Sequence, residues 1–294
     1  MSIKKLTDSL SKRFNSQIKV IFVTATGIYP QSLGGPAVFL HYLSLNLRKK
    51  GVYIRLYDFS SIEKLISILN CITELMRANV IIYNSPPTGI LFPLLLLSWI
   101  FRKASLFICH GGIFFERKDR LSKIERALLL LEIRKGFIKY VIFPSRWLFN
   151  FLRKWYKINS IKSIIIPNGV DVEEISSYPS ISLPTKNNIL FVGRLVNIKG
   201  ISVLLDAFSQ LVAEKSADYN LYIIGPCQDL SLRERIKKMP HVHYLGACAH
   251  SQEMIIMKSV DIIVVPSLLE NFPLVVLEAM ACAKPVIARA SAPF

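Results

Sequence analysis

The feature that most constrains the fold is a series of short apolar runs that alternate with helical stretches. In one of them, 261–265, four apolar residues follow a single aspartate, as in a strand covered on both faces of a parallel sheet. Runs of this kind predict eleven strands, at 18–24, 52–57, 80–83, 105–109, 139–143, 163–166, 189–192, 221–224, 243–245, 261–265 and 285–288. Because the pattern restarts after a turn at 167–171, we predict an α/β protein with two doubly wound parallel-sheet domains, 1–165 and 166–294, that face a cleft.

Charge is divided unequally between the two predicted domains. Residues 1–165 hold 26 Lys and Arg against 8 Asp and Glu, whereas residues 166–294 hold 11 against 12. The stacking aromatics and recognition motifs of a nucleic-acid-binding protein are missing, so we expect no nucleic acid. The basic, leucine-rich stretch 116–140 is typical of a helix that lies on an anionic membrane surface. It is equally typical of a solvated helix packed on its own sheet.

Targeting and cysteine signals favour the cytoplasm. The N-terminal lysines are not followed by the apolar segment of a secretory leader. The apolar run 90–101 is too short to cross a bilayer and contains Pro93, so we predict a buried helix there. The five cysteines are scattered without a CxxC pair, which predicts neither disulfides nor zinc. We expect a cytoplasmic protein, peripheral on the inner face of the cell membrane if the basic stretch binds lipid.

Two glutamates eight positions apart, Glu270 and Glu278, frame the turn between the strand at 261–265 and the next helix. Pro273 suits the first turn of that helix, where a missing N–H costs nothing, and Glu278 then falls about two turns into it. Glu270 lies at the carboxyl end of the strand, where open α/β sheets bind ligands. Two carboxylates around one such turn predict a site that holds hydroxyl groups.

A second loop carries two cations between a strand end and a helix N-terminus. Arg194 and Lys199 lie between Gly193 and Gly200, which let the backbone approach a ligand closely. Backbone N–H groups and the helix dipole favour phosphate at such a position, and the cations would add charge-assisted hydrogen bonds. The alternative is a surface loop with incidental cations.

Two further signals lie in the first domain. Gly34 and Gly35 follow the first strand and suit either a phosphate-facing loop or a tight turn. His110 ends a strand and precedes two glycines, so it is either a structural histidine or a substrate contact. His243 and His250 lack a metal-like arrangement with Cys and other His residues, and we interpret both as structural.

Taken together, these motifs resemble those of glycosyltransferase family 4, whose members have the GT-B fold of two Rossmann-like domains. In chain order the motifs are Gly34-Gly35, His110-Gly111, Ile166-Pro-Asn-Gly-Val-Asp171, Phe191-Val-Gly-Arg-Leu195 with Lys199-Gly200, Pro266-Ser with Glu270, Glu278-Ala-Met-Ala-Cys282 and Lys284-Pro-Val-Ile287. They run through most of the chain in the order found in the family, and they are specific as a set although none is specific alone.

The resemblance implies a hexosyl-type transfer with retention, from a nucleotide-diphosphate sugar to a hydroxyl of a glycan or lipid-linked acceptor. The products would be surface polysaccharides or glycolipids, and neither a cofactor nor a metal is implied. Arg194 and Lys199 would hold the diphosphate, and Glu278 the ribose hydroxyls. Glu270 and His110 would contact the donor sugar. The implied donor-binding residues are Gly34, Gly35, Arg194, Lys199, Asn271, Phe272, Pro273, Leu274 and Glu278, and the implied catalytic residues are His110 and Glu270.

The chain departs from the family pattern in a few places. Ala283 and Asn271 stand where relatives commonly have glycine, and the family continues beyond Phe294 with a glycine pair, an acidic residue and further elements. We therefore expect an incomplete second domain, as in a fragment, a truncated gene product or half of a split enzyme, with exposed apolar surface beside its last strand. Two alternatives stay open: an inactive relic or binding module for an acceptor or a membrane, and another GT-B enzyme such as a nucleotide-sugar epimerase.

Overall fold

The computed structural model describes residues 17–25, 35–60, 67–115, 120–156, 162–184, 186–215 and 219–290 of the 294-residue chain. The chain divides into two compact units, Met1–Pro167 and Asn168–Phe294, which we name the N-terminal unit and the C-terminal unit. Each unit is built on its own parallel β-sheet.

The N-terminal unit contains a six-stranded sheet in which all described strand pairs are parallel. Its strands are β1 (Lys19–Thr24), β2 (Tyr53–Asp58), β3 (Val80–Tyr83), β4 (Ala104–Ile108), β5 (Tyr140–Phe143) and β6 (Ser163–Ile165). Its helices are α1 (Gly35–Lys49), α2 (Ser67–Arg77), α3 (Phe92–Ile100), α4 (Gly112–Phe115), α5 (Arg120–Arg134) and α6 (Arg146–Tyr156). The strand order is β2-β1-β3-β4-β5-β6, so the direction of winding reverses between β1 and β3.

The C-terminal unit contains a five-stranded parallel sheet. Its strands are β7 (Asn188–Val192), β8 (Asn220–Ile224), β9 (Val242–Gly246), β10 (Ile262–Val265) and β11 (Val286–Ala288). Its helices are α7 (Val172–Ser177), α8 (Ile201–Lys215), α9 (Leu230–Lys238), α10 (His250–Ser259) and α11 (Leu274–Ala281). The strand order is β11-β10-β7-β8-β9, and the winding reverses between β7 and β10.

The apolar runs become strands because helices cover both faces of each sheet. In β1, Ile21 packs in one buried cluster with Leu75 and Leu129 of the helices, while Phe22 packs in another with Leu40. Two separate buried clusters flank the sheet of the C-terminal unit in the same way. Each of the eleven predicted strands is present within one residue of its predicted limits, and the two-sheet α/β fold is confirmed.

Three local predictions are wrong in part. The run 90–101 forms α3 from residue 92, but only one side of that helix is covered, so Trp99 and Phe101 are exposed instead of buried. Glu278 is the fifth residue of α11, little more than one turn into the helix, because Pro273 precedes the helix and does not open it. The sequence predicts apolar exposure on the neighbours of the last strand, but the exposed residue is Ile287 on that strand itself, β11, at the edge of its sheet.

The end of α11 has an unusual backbone. Ala283 has φ 55°, the left-handed conformation that glycine adopts freely and that costs an alanine about 1 kcal/mol. It occupies the position that follows a helix, and Lys284 N–H donates to the carbonyl of Ala279 at 2.9 Å. The backbone at this position therefore favours the glycine that is found in the family over the alanine of this chain.

Candidate functional site

The candidate site of the C-terminal unit lies where the winding of its sheet reverses. β7 and β10 are neighbours, and the loops 193–200 and 266–273 follow their carboxyl ends. Open α/β sheets bind ligands in the crevice formed at such a reversal. All the predicted site residues of this unit lie on these two loops or on α11, which follows the second loop.

The two loops are held together by a close backbone contact at Gly200. This residue has φ 71°, and a Cβ atom placed on it would lie 2.1 Å from the carbonyl oxygen of Pro266. The N–H of Leu268 donates to the carbonyl of Ile198 at 2.8 Å, which adds a direct bond between the loops. A residue with a side chain would push the loops apart, so glycine is required here for steric as well as conformational reasons.

Lys199 and Glu270, predicted separately to contact the donor, contact each other. Lys199 Nζ lies 2.6 Å from Glu270 Oε1, and both side chains are partly exposed. The hydroxyl of Ser267 donates to the same carboxylate oxygen at 2.8 Å. Charge-assisted hydrogen bonds of this kind hold both side chains in defined positions. The loop after β7 therefore presents a cation and the loop after β10 a carboxylate at one place.

Glu278 is buried and bonded to a histidine from the preceding helix. Its Oε1 lies 2.9 Å from Nε2 of His250, and the two side chains are 7% and 6% exposed. His250 is the first residue of α10. The sequence interpretation of His250 as structural is therefore incomplete, because its imidazole contacts Glu278, which is predicted to bind the ribose hydroxyls.

The charges around this pair shift two pKa values. Burial lowers the pKa of His250, but the hydrogen bond and the charge of Glu278 outweigh burial and raise it above its usual value. Burial also raises the pKa of the neighbouring Glu253 to about 7, and the charge of Glu278 adds to that rise. Glu278 thus lies beside two titratable side chains, His250 and Glu253, whose pKa values its charge raises.

The other predicted residues of this unit surround the same crevice. Arg194 is exposed and directly follows Gly193 at the end of β7. Pro273 caps α11 and Leu274 opens it, so the first N–H groups of that helix point back toward the loop. Asn271 and Phe272, on the preceding turn, are half-buried.

His110 of the N-terminal unit belongs to a hydrogen-bonded chain. Its Nε2 lies 2.9 Å from Oδ1 of Asn84, whose amide nitrogen donates to the carbonyl of Pro36 at 3.2 Å. Because Asn84 uses its NH₂ group on Pro36, Oδ1 accepts and Nε2 of His110 carries the proton. The ring also contacts Phe39 edge-on. Desolvation lowers the pKa of His110 to about 4, so the imidazole is neutral at pH 7.

This chain of residues lies at the reversal point of the first sheet. Asn84 and Ser85 follow β3, and the Ser85 hydroxyl accepts the N–H of Ala25 at 2.9 Å just after β1. Gly35 is the first residue of α1, and a Cβ atom on it would meet nothing within 4 Å. Gly34 lies outside the described residues.

Sequence reasoning missed three polar residues of these two sites, Asn84, Ser85 and His250, and named Ser267 only as part of a motif. Asn84 and Ser85 had a usable signal, since they are polar residues that follow an apolar strand. His250 had none, because its partner is 28 positions away and only the packing of α10 on α11 brings them together.

Two family models match the chain, one in each unit. The model described as Glycosyltransferase Family 4 matches residues 55–174, and the model described as Glycosyl transferases group 1 matches residues 186–293. The chain therefore consists of two glycosyltransferase domains, one of each described family. The second match includes Arg194, Lys199, Glu270 and Glu278, so these four residues lie within the part of the chain that matches a glycosyltransferase domain.

Curated relatives in this family cover only part of the chain. An uncharacterized glycosyltransferase of Methanocaldococcus jannaschii is 32% identical over 177 residues, which are 55% of this chain and 46% of the relative. A phosphatidyl-myo-inositol mannosyltransferase of Mycobacterium leprae is 35% identical over 131 residues, 43% of this chain and 35% of the relative. The chain therefore matches less than half the length of each of these relatives.

Solved structures share the GT-B fold with this chain. HepE of Anabaena, in complex with UDP and glucose, has a TM-score of 0.68 at 19% identity and covers 94% of this chain and 81% of HepE. Sucrose-phosphate synthase of Thermosynechococcus elongatus has a TM-score of 0.71 at 18% identity over 93% of this chain and 82% of that protein. At these identities the likeness establishes the fold alone.

Two negative findings apply to the described part of the chain. It contains no group of three His, Cys, Asp or Glu side chains placed to hold a metal ion. Independence from a metal stays a prediction. None of the helices within the described ranges combines the length and the apolar character needed to cross a bilayer.

Proposed function

We propose that this protein transfers a hexosyl group, with retention, from a nucleotide-diphosphate sugar to a hydroxyl of a glycan or lipid-linked acceptor. The observation that carries the proposal is the juxtaposition of the Lys199–Glu270 pair with the buried Glu278 at the reversal point of the second sheet. A donor of this kind needs a cation for its diphosphate and acceptor oxygens for its hydroxyls. The loops after β7 and β10 supply both.

In this proposal the diphosphate binds at the loop after β7. Arg194 and Lys199 neutralise the charge that grows on the leaving nucleotide as the glycosidic bond breaks, the kind of electrostatic contribution that dominates many transfers. Gly200, whose carbonyl accepts the N–H of Leu204, begins α8, and the positive end of that helix points in the same direction. No metal is then needed to balance the diphosphate.

The donor sugar and the ribose would be held by different carboxylates. Glu270 accepts hydrogen bonds from sugar hydroxyls and keeps its orientation through Lys199 and Ser267. Asn271, Phe272, Pro273 and Leu274 line the same turn, where backbone N–H groups contact the remaining hydroxyls. Glu278 accepts from the ribose.

His110 completes the assignment of roles. A neutral imidazole can donate from Nε2 or accept at Nδ1, and the bond to Asn84 fixes which nitrogen carries the proton. We assign this side chain to the donor sugar near its anomeric carbon, with Gly35 leaving room for phosphate. Its low pKa keeps the ring uncharged over the whole neutral range.

The acceptor side of the proposal is a membrane-bound glycolipid or a surface polysaccharide precursor. The relative from Mycobacterium leprae is named for a phosphatidyl-inositol acceptor, which supports a lipid-linked substrate.

HepE and several other structural neighbours were solved with UDP or UDP-sugars, which supports a uridine nucleotide as the first donor to try.

A stripe of apolar side chains on α5 supports contact with an anionic membrane surface. The stripe consists of Leu121, Ile124, Leu128 and Leu131, which are 45% to 71% exposed. Spacings of three and four residues place all four on one face of the helix. The opposite face packs into the core, so the two sequence interpretations of this stretch, lipid-binding and packed on the sheet, apply to different faces of one helix. Residues 116–119 of the predicted stretch lie outside the described ranges.

Calorimetry with the full chain tests donor binding. UDP-, GDP- and ADP-hexoses would be titrated into the protein and into the Lys199→Ala variant, with Lys237→Ala, an exposed lysine of α9, as the matched control. We expect one nucleotide to bind, Lys199→Ala to weaken it at least tenfold, and Lys237→Ala to bind normally. Equal binding by all three proteins contradicts the proposed site.

Product analysis separates the remaining alternatives. NMR of the product, with and without EDTA, shows whether the anomeric configuration is retained and whether a metal is needed. Binding without transfer to any glycan or lipid acceptor favours the non-catalytic module, and an isomerised nucleotide sugar favours an epimerase. Absence of both binding and transfer with all common nucleotide sugars sinks the enzyme hypothesis.

A further inference from the structure

His250 has no role in the family motifs or in the proposed reaction, yet it is fixed against a proposed ligand-binding carboxylate. The N–H of Ala249 donates to Oε1 of Gln252 at 3.2 Å, which anchors the start of α10. From that anchored position the imidazole reaches Glu278, and both side chains are almost fully buried. Two buried polar groups on separate helices are thus aimed at each other.

The chemistry of the pair assigns the direction of the hydrogen bond. An ionised carboxylate can only accept, so Nε2 of His250 carries the proton and donates to Oε1 of Glu278. Among the described residues this is the one donor that the structure gives Glu278. The bond therefore engages one carboxylate oxygen and leaves Oε2 to accept from a bound hydroxyl.

We propose that His250 is a positioning residue for the donor nucleotide, holding Oε1 of Glu278 so that Oε2 faces the ribose hydroxyls. This inference rests on the proposed function, because it needs Glu278 to bind ribose. A buried carboxylate without a donor tends to take up a proton and to lose its fixed orientation. Partners that orient a binding group through a hydrogen bond commonly affect affinity as strongly as a direct contact does.

The test compares a ligand that has the ribose hydroxyls with one that lacks them. The nucleoside diphosphate that binds the wild-type protein would be titrated beside its 2′,3′-dideoxy analogue. We expect His250→Ala to weaken the ribonucleotide about tenfold and to leave the weaker dideoxy analogue unchanged. A residue that merely supports the fold would reduce affinity for both ligands by the same factor.

Three further variants control the experiment. His250→Gln places an amide nitrogen near the position of Nε2 and should restore most of the ribonucleotide affinity, whereas His250→Asn is too short to reach Glu278. His243→Ala removes another histidine of the same unit, one that bonds to Asn220 and stacks on Tyr222, and should change neither affinity. If His250→Ala fails to fold, the Gln and Asn variants still make the comparison.

The outcomes separate this inference from the proposed function. Equal loss of both ligands in His250→Ala, or equal affinity in the Gln and Asn variants, overturns the positioning role and leaves the proposed function standing. Failure of the wild-type protein to bind any nucleoside diphosphate overturns both.

Discussion

Glu132 of the N-terminal unit and Glu278 of the C-terminal unit are equally buried, with 5% of each residue exposed, but their surroundings differ. Within the described residues, Oε2 of Glu132 has no hydrogen-bond partner, and burial raises the pKa of this carboxyl to about 8. Glu278 receives the N–H of His250. Burial alone therefore does not mark a functional carboxylate. A hydrogen-bond donor is what distinguishes Glu278 from Glu132, and it is one reason why we propose Glu278, and not Glu132, as a ligand of hydroxyl groups.

The histidines of the two units repeat the contrast. His110 has an amide oxygen for a partner, and desolvation lowers its pKa to about 4. His250 has a carboxylate for a partner, and its pKa is raised. One residue type thus becomes a neutral hydrogen-bonding group in one unit and a hydrogen-bond donor to an anion in the other.

The largest expected effect concerns the close backbone contact between the loops 193–200 and 266–273. It tests whether the site around Glu270 and Glu278 depends on that contact. Gly200→Ala would place a Cβ atom 2.1 Å from the carbonyl oxygen of Pro266, so we expect the C-terminal unit to lose about 3 kcal/mol of stability or more. Gly246→Ala is the matched control, because Gly246 also has a left-handed φ but a Cβ atom there meets nothing within 4 Å. Urea denaturation of both variants measures the difference, and equal losses would show that the close contact is unimportant.

The second prediction compares nucleotide binding after substitution of each of the two buried glutamates, Glu278 and Glu132. We expect Glu278→Gln to weaken nucleotide binding about tenfold, because the charge that holds His250 and the ribose is lost. Glu132→Gln should leave the dissociation constant unchanged. Calorimetry on both variants decides the matter, and a similar loss in each would erase the distinction drawn between the two carboxylates.

A third prediction concerns binding to anionic vesicles by the exposed apolar side chains of the two units. Replacing Ile124 and Leu128 of the apolar stripe by glutamate should reduce retention on anionic vesicles roughly fivefold in a flotation assay. Replacing Val203 and Leu230, which are at least as exposed in the C-terminal unit, should have no effect. The membrane proposal fails if the wild-type protein does not float with anionic vesicles at low salt, or if both pairs of substitutions act alike.

The smallest effect is a pH dependence of stability. The pKa of Glu132 is raised from 4.5 to about 8 in the folded chain, so its contribution to stability is fully present below pH 4.5 and is lost as pH rises toward 8. We expect Glu132→Gln to flatten this fall by on the order of 1 kcal/mol between pH 5 and pH 8. Denaturation at the two pH values measures it. An unchanged slope would mean that Glu132 is better solvated than its burial indicates.

Much of the fold could be predicted because its signals are local. Short, largely apolar runs located every strand within one residue, since strands covered on both faces of a sheet are mostly apolar. Ser145, which directly precedes α6, accepts the N–H of Leu148 at 3.1 Å, the local contact by which serine caps a helix. Glu278 was placed a turn too deep because sequence alone does not distinguish a proline that opens a helix from one that precedes it.

The contacts within the site were harder to predict because they join distant parts of the chain. Arg194, Lys199, Glu270 and Glu278 could be named from motifs, and their roles toward a donor stay predictions. The Lys199–Glu270 contact spans 71 positions, and the Asn84–His110 contact spans 26. No local pattern encodes such distances. They follow from the strand order, which brings the ends of β7 and β10, and of β3 and β4, side by side.

The left-handed alanine at position 283 has a practical consequence for the experiments above. Ala283→Gly would relieve the steric strain at φ 55° without altering any charged group or hydrogen-bonding side chain. The substitution lies just beyond the helix that carries Glu278, so it should stabilise the C-terminal end of that helix. A host protein reinforced in this way would tolerate site variants that otherwise fail to purify, and every affinity could then be compared in one common background.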